Sequence, residues 1–268
     1  MFLRLFIVKY KPMYYVHKFA TNAQMQEAYN GSGYTEPWLA CAEGVTIPTY
    51  SKLPDPFNGI TEYVDLGLPS KTLWSTKNIY LPDEQIWNSD EERDLFAHTF
   101  FSWGEVDAFD GEVAYSDGSL DAYKWYDATN EVMTKYNDSD RKFILDPEDD
   151  AAHVIMGGQW SLPTVEQANE LLRYTTQNEE YAHVEGSSTF MYGVRFTAGN
   201  GNSVFIPAQG YGGVGESWGW SGAIMLKNRP EDDPYSCYIL DVTNGSPSVG
   251  TYERQYGFCV RGVIRVNH

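Results

Sequence analysis

The sequence predicts an α+β protein, a loop-rich domain of short strands and few helices with a small N-terminal α/β module ahead of it. Three observations carry this. From Tyr63 onward, short apolar or alternating runs recur between stretches rich in Gly, Ser, Asn and aromatics. Only Pro163–Arg173 has a strong helical period. Between the two parts, SKLPDPFNG (Ser51–Gly59) breaks the pattern with Pro54, Pro56 and Gly59, as a linker does, and divides the chain into 1–56 and 57–268.

In the first part, Thr21 and Gln24 have the spacing of a capping box, and Met25, Ala28 and Tyr29 follow on one face of a short helix. Asn30–Gly33 ends it, and Tyr34–Ala42 reads as a strand. One helix and one or two strands bury little apolar surface, so this module is expected to lean on a partner chain or on the larger domain. The opening MFLRLFIVKYKPMYY has only Leu5–Val8 uninterrupted by charge, too short for the apolar region of a leader. The chain is therefore expected to be made in a cytoplasm and to insert in no membrane.

In the second part, the expected strands are Tyr63–Leu66, Thr72–Ser75, Met191–Phe196, Ser203–Ile206, Ala223–Leu226, Ser236–Val242 and Gly257–Val266. Within the helix Pro163–Arg173, Thr164 and Gln167 form a second capping box, and Val165, Ala168, Leu171 and Leu172 make its apolar stripe. A weaker helix starts after Asn88-Ser89-Asp90, where acids sit at its positive end. The long loops Gly199–Asn202, Gln209–Gly222 and Asn244–Gly250 are where a β scaffold carries function.

The net charge is −18, from 37 Asp+Glu against 19 Lys+Arg. Residues 1–50 carry +1 and residues 83–150 carry −15. Such a chain repels nucleic acid and anionic membranes, so neither is expected as a partner. The acid-rich stretches Asp107–Gly111, Asp138–Asp140 and Asp146–Asp150 hold oxygen ligands of the kind calcium takes, without the spacing of an EF-hand. The other reading is a solvated acidic face, with Asp149 and Asp150 capping or bracing the fold. Cys237 and Cys259 sit in strand-like runs as small hydrophobes, and Cys41 stands apart. No phosphate-binding loop, His-Glu-x-x-His or Cys-x-x-Cys is present, and the five His are scattered. No enzyme activity, cofactor or bound metal is expected.

The C-terminal loops have a different character. Trp218, Trp220, Tyr235, Tyr252 and Tyr256, together with Asn244, Ser246, Ser248 and Arg254, are the residue types of a recognition surface. Tyr and Trp give large rigid contact area, and Ser and Asn give adaptable hydrogen bonds. The alternative for Trp218 and Trp220 is a place in the core.

Nine stretches carry a family resemblance. They are EYVDLGLPSKTLWSTKN (Glu62–Asn78), FFSWGEVD (Phe100–Asp107), YKWYD (Tyr123–Asp127), MTKYNDSD (Met133–Asp140) and LDPEDDAAHV (Leu145–Val154), then GGQWSLPTVEQANEL (Gly157–Leu171), GNGNSVFIPAQGY (Gly199–Tyr211), SWGWS (Ser217–Ser221) and RQYGFCVRGV (Arg254–Val263). Over residues 62–266 the chain resembles the Fibrobacter succinogenes major paralogous (FISUMP-type) domain. The resemblance implies a C-type-lectin-like fold, in which a loop-rich C-terminal half presents the ligand face beside a strand of the Gly257–Arg261 kind. Lys18–Glu43 is similar to a short module at the front of Bacteroides phage structural proteins.

Together these resemblances imply a bacteriophage virion surface protein, a head or tail fibre or decoration. Its N-terminal module would join other virion proteins and a homo-trimer or other homo-oligomer. Its lectin-like domain would bind a host cell-surface glycan or protein through Trp218, Trp220, Tyr235, Asn244, Ser246, Tyr252, Arg254 and Tyr256. A bacterial adhesin-like surface protein is the alternative.

Overall fold

A computed structural model describes residues 4–10, 13–19, 63–81, 89–108, 120–185, 190–211 and 221–265. The chain divides into two units, Met1–Gly59 with Leu81–Glu84, and Ile60–Tyr80 with Gln85–His268. In the first unit, β1 (Arg4–Tyr10) pairs antiparallel with β2 (Met13–Phe19), from Arg4 opposite Phe19 to Tyr10 opposite Met13. The run read above only as too short for a leader thus forms a strand. The helix and strand expected at 21–42 lie outside the described residues.

The second unit is α+β, with three α-helices among its described residues and most of its order in sheets. In chain order it contains β3 (Tyr63–Asp65), β4 (Thr72–Ser75), α1 (Asp90–Phe96), β5 (Phe100–Ser102), β6 (Tyr126–Asp127) and β7 (Val132–Met133). Next come α2 (Ala151–Met156), α3 (Val165–Tyr174), β8 (Thr175–His183), β9 (Phe190–Ala198) and β10 (Ser203–Pro207). Last are β11 (Ala223–Met225), β12 (Ser236–Asp241), β13 (Ser248–Glu253), β14 (Gly257–Cys259) and β15 (Val263–Arg265). The sheets have the strand orders β13-β12-β11-β14-β5, β15-β4-β3, β10-β9-β8 and β6-β7. Among the described strand pairs β11 with β14 is parallel, as is the isolated bridge of Gly210 with Gly222, and β4 near the start of the unit pairs with β15 at its end.

One core joins three of these sheets to α3. Trp74 of β4, Leu171 of α3, Phe196 of β9, Ile206 of β10, Ile224 of β11, Leu240 of β12 and Cys259 of β14 are all buried in it. Helix α3 forms where its caps demand. The Thr164 hydroxyl accepts from Gln167 N at 3.3 Å, and the Gln167 side chain returns the bond to Thr164 N at 2.8 Å. Ala168 and Leu171 are its buried residues, with Val165 and Leu172 packed at the edge. The weaker helix is α1, whose N-cap Ser89 accepts from Glu92 N at 3.1 Å.

Strands β5, β6, β7 and β13 are not among the expected strands, β13 taking the end of the stretch read as the loop Asn244–Gly250, and two further elements escape pattern reading. Helix α2 has six residues, too few to show a period, and exists because Asp150 caps it. Strand β8 (TTQNEEYAH) is polar because it is an outer strand of its sheet with alternate residues exposed.

A third difference is a correction. Gly257–Val266 alternates well enough to read as one strand, but it is two strands in two sheets. Between them, Val260 O accepts from Ile79 N at 2.7 Å and Gly262 O from Ser75 N at 3.0 Å. Arg261 is buried here, giving one hydrogen bond to Asn78 Oδ1 at 2.7 Å and another to Phe205 O at 2.7 Å. At Gly262 a Cβ would collide with Met156 Sδ and the Trp160 ring, so the crossing tolerates no side chain. Phe258, Cys259, Val260 and Arg261 are consecutive and all buried, so the alternation had no exposed face to report.

Asp150 ties this region together. It is completely buried, accepts from His153 N at 3.1 Å and Leu162 N at 3.0 Å, and carries Lys227 Nζ at 2.9 Å. Asp150→Ala is therefore expected to destabilise the protein by about 3 kcal/mol or more, because it strands a lysine and two backbone donors. Asp150→Asn, which keeps an acceptor, should cost less. Equilibrium denaturant unfolding of the two variants measures the difference.

Candidate functional site

The ladder of β12 with β13 organises the sequence-derived candidates, and it separates them. Ser236 opposes Glu253 at one end and Asp241 opposes Ser248 at the other, five positions or roughly 17 Å away. Asn244 and Ser246 lie beyond the second end, exposed, in a tight 3-10 turn at Thr243–Gly245. That turn seats Gly245 against Glu179 of β8, at φ +68° and with no space for a Cβ. Tyr235, Tyr252 and Tyr256 lie at the first end. The structure therefore does not bring all the candidates into one site.

At the first end, four aromatic rings meet. Tyr252 packs on Tyr211 at 5.4 Å, on Tyr256 at 5.2 Å and on Phe258 at 5.7 Å between centroids. Phe258 is wholly buried in β14, whereas Tyr211, Tyr252 and Tyr256 are half-buried. Tyr211 and Tyr252 thus rest on a buried base and Tyr256 on Tyr252, which lowers the entropy lost when a ligand binds. Tyr235 is 38% exposed; its hydroxyl donates to Glu131 O at 3.2 Å, and its carbonyl accepts from Arg254 N at 3.0 Å. Trp218 and Trp220 lie outside the described residues. So does Gly215-Glu-Ser-Trp-Gly219, which has the Gly-x-Ser-x-Gly spacing of a nucleophile elbow. Tyr211 was not among the candidates, although an aromatic directly after Gly210 in a long loop was the signal for it.

Arg254 is the correction within the set. Expected at a ligand face, it is fully buried. Its two terminal nitrogens donate to Tyr136 O at 2.9 Å and Lys135 O at 2.8 Å. Its guanidinium lies 5.5 Å from the centroid of the Trp103 ring and 5.3 Å from that of Tyr123. Burial pushes its pKa below the ordinary arginine value. The flanking aromatics that suggested a recognition surface mark a loop anchored into the core.

The anchored loop is acidic, and its acids are engaged from within. Tyr136 holds φ +56°, which costs a bulky residue about 1–2 kcal/mol. It is held there by Asp140, which accepts from Tyr136 N at 2.6 Å, and by Asp149, which accepts from the phenol at 2.7 Å. Burial, reinforced by Asp149, pushes the phenol well above the ordinary tyrosine value. Lys142 reaches Asp146 at 2.6 Å and Lys135 reaches it at 3.0 Å, while Lys135 also pairs with Asp149. Of the acids read as calcium ligands, Asp140, Asp146, Asp149 and Asp150 thus serve as caps and ion-pair partners. No group of three or more metal-ligating side chains occurs among the described residues. Cys237 and Cys259 are buried, and desolvation pushes the Cys259 thiol up to about 12 and Cys237 further, so neither is poised as a nucleophile.

Comparison of the chain with protein-family models, with curated proteins and with solved structures finds no match in any of the three.

Two outcomes are expected. Arg254→Met should lower unfolding free energy by about 2–4 kcal/mol, from two buried carbonyls left without donors, as read by chemical denaturation. Hydrogen bonds from Lys142 and then Lys135 hold the Asp146 carboxyl below the usual 3.8. Its folded pKa is depressed, so its contribution is complete above pH 3.8 and is lost as pH falls through the lower folded value. Asp146→Asn should therefore flatten the acid limb of a thermal-midpoint-against-pH curve below about pH 4.

Proposed function

We propose that the second unit is a C-type-lectin-like display domain, resembling the FISUMP-type domains, which binds a host cell-surface glycan or protein on behalf of a bacteriophage particle. Residues 1–56 would fix it to the virion. The observation that carries the reading is the Tyr211–Tyr252–Tyr256 cluster. Three half-buried rings, two of them packed on the buried Phe258 and the third on Tyr252, lie at one end of a hairpin, with the part-exposed Tyr235 at the same end. Rings in that state offer stacking area to a sugar face or an apolar side chain at little entropic cost.

Two further features support the fold part of the proposal. The Gly257–Cys259 strand lies between β11 and β5 within the five-stranded sheet, and β4 pairs with β15 to close the unit. The function is recognition by a preformed surface, with affinity set by the aromatic rings and specificity by the polar groups around them.

Tyr252→Ser and Tyr256→Ser, made separately in the full chain, should each weaken retention on host cells by about tenfold while the thermal midpoint falls only a few degrees. Retention unchanged in both variants would overturn the assignment of the face. Absence of the chain from purified particles, read by mass spectrometry, would overturn the virion placement.

A further inference from the structure

A second concave surface lies elsewhere on this unit and shares no residue with the tyrosine cluster. It is a groove of about 580 Å³, within the usual range for small-ligand sites of roughly 300–1,000 Å³. One side comes from Ser70 and from Arg265 at the end of β15. Ser161, Thr164 and the first turns of α3 form its base. The other side is Lys227 and Ile144, where Leu145 N donates to Lys227 O at 3.1 Å and Lys227 N to Pro163 O at 2.8 Å.

The lining is charged but balanced. Lys227 and Arg265 line it with Glu166 and Glu170, so the lining has no net charge in a chain that carries −18. It therefore selects neither an anion nor a cation, and its lining side chains all end in polar or charged groups except Ile144, unlike the aliphatic and aromatic wall of a lipid or steroid site. No aromatic side chain lines it, which leaves a nucleobase nothing to stack on. Donor and acceptor side chains line it together instead. Lys227 uses one of three ammonium protons on Asp150, and Thr164, which accepts from Gln167 N, keeps its own proton to give. Among the described residues, the side chains of Arg265 and Glu166 make no hydrogen bond or ion pair.

We propose that this groove binds a neutral oligosaccharide. Every sugar hydroxyl both donates and accepts, and a lining that holds an ammonium, a guanidinium and two carboxylates can satisfy both halves of it. Ile144, 51% exposed, supplies the apolar surface against which the C–H face of a pyranose packs.

The groove is also preformed, so little ordering entropy is lost on binding. Glu170 accepts from Ser70 N at 2.8 Å and from the Ser70 hydroxyl. Ser70 Oγ lies 2.6 Å from Thr72 Oγ1, which accepts from Gln167 Nε2 at 3.0 Å. Asp150, itself fixed by backbone donors, holds Lys227. The inference does not depend on the function proposed for the tyrosine face.

Saturation-transfer NMR on the full chain, with maltotriose, cellotriose and chitotriose each titrated to about 10 mM, tests it. At least one of the three should bind. Glu166→Gln and Arg265→Gln, both at exposed positions and both expected to leave the thermal midpoint unchanged, should each weaken that binding about tenfold. Tyr252→Ser should leave it unaltered. Binding of none of the three overturns the proposal. So does binding that both groove variants retain, or that Tyr252→Ser abolishes.

Discussion

Arg254 donates from the end of β13 to the carbonyls of Lys135 and Tyr136, more than a hundred residues earlier in the chain, and has no carboxylate among those partners. Much of the second unit depends on this contact and on two others of its kind. Arg229 donates to Lys142 O, Asn137 O and Pro230 O, and Arg261 to Phe205 O and Asn78. A buried guanidinium is costly unless its fork is filled, and loop carbonyls are costly unless they meet a donor. Pairing the two satisfies the carbonyls and most of each fork, with Arg254 Nε left buried and without a partner among the described residues, and it lets long stretches without regular structure pack into the interior. Burial still leaves its mark, since Arg261 is pushed down to about 9.

The acidic segment follows from the same requirement. A chain with −15 concentrated in residues 83–150 would repel itself if every carboxylate faced water at random. Instead Asp149 and Asp150 turn inward to cap, to brace the Tyr136 phenol and to hold lysines, while Asp140 at the surface accepts from the Tyr136 backbone in its left-handed conformation. Exposed charges such as Asp138, Glu148 and Glu231 remain for solubility. The acid composition is thus partly architecture and partly solvation.

The two candidate surfaces differ in chemistry. One is aromatic and stands on a buried phenylalanine; the other is polar, charge-balanced and stiffened by a chain of hydrogen bonds through Thr72, Ser70 and Glu170.

Local physics was legible in the residues. The reciprocal cap of Thr164 and Gln167, the stripe Val165–Ala168–Leu171–Leu172, the Ser89 cap and strands such as Thr72–Ser75 need only neighbours in sequence, and these elements form where they were read. The α+β class was legible for the same reason. Other features depend on partners far along the chain. Phe258 to Arg261 alternates in type yet is buried throughout, because separate sheets and a loop cover it. Tyr252 and Arg254 look alike as loop residues, but one packs into a half-exposed ring cluster and the other into the core. The groove draws on Ser70, Ile144, Ser161, Lys227 and Arg265, which no motif joins. The sequence by itself determined the class, the caps and the charge distribution, since propensity, capping and formal charge are local. Only the tertiary structure decided which polar and aromatic groups are buried and which converge, because burial and convergence depend on residues a hundred positions apart.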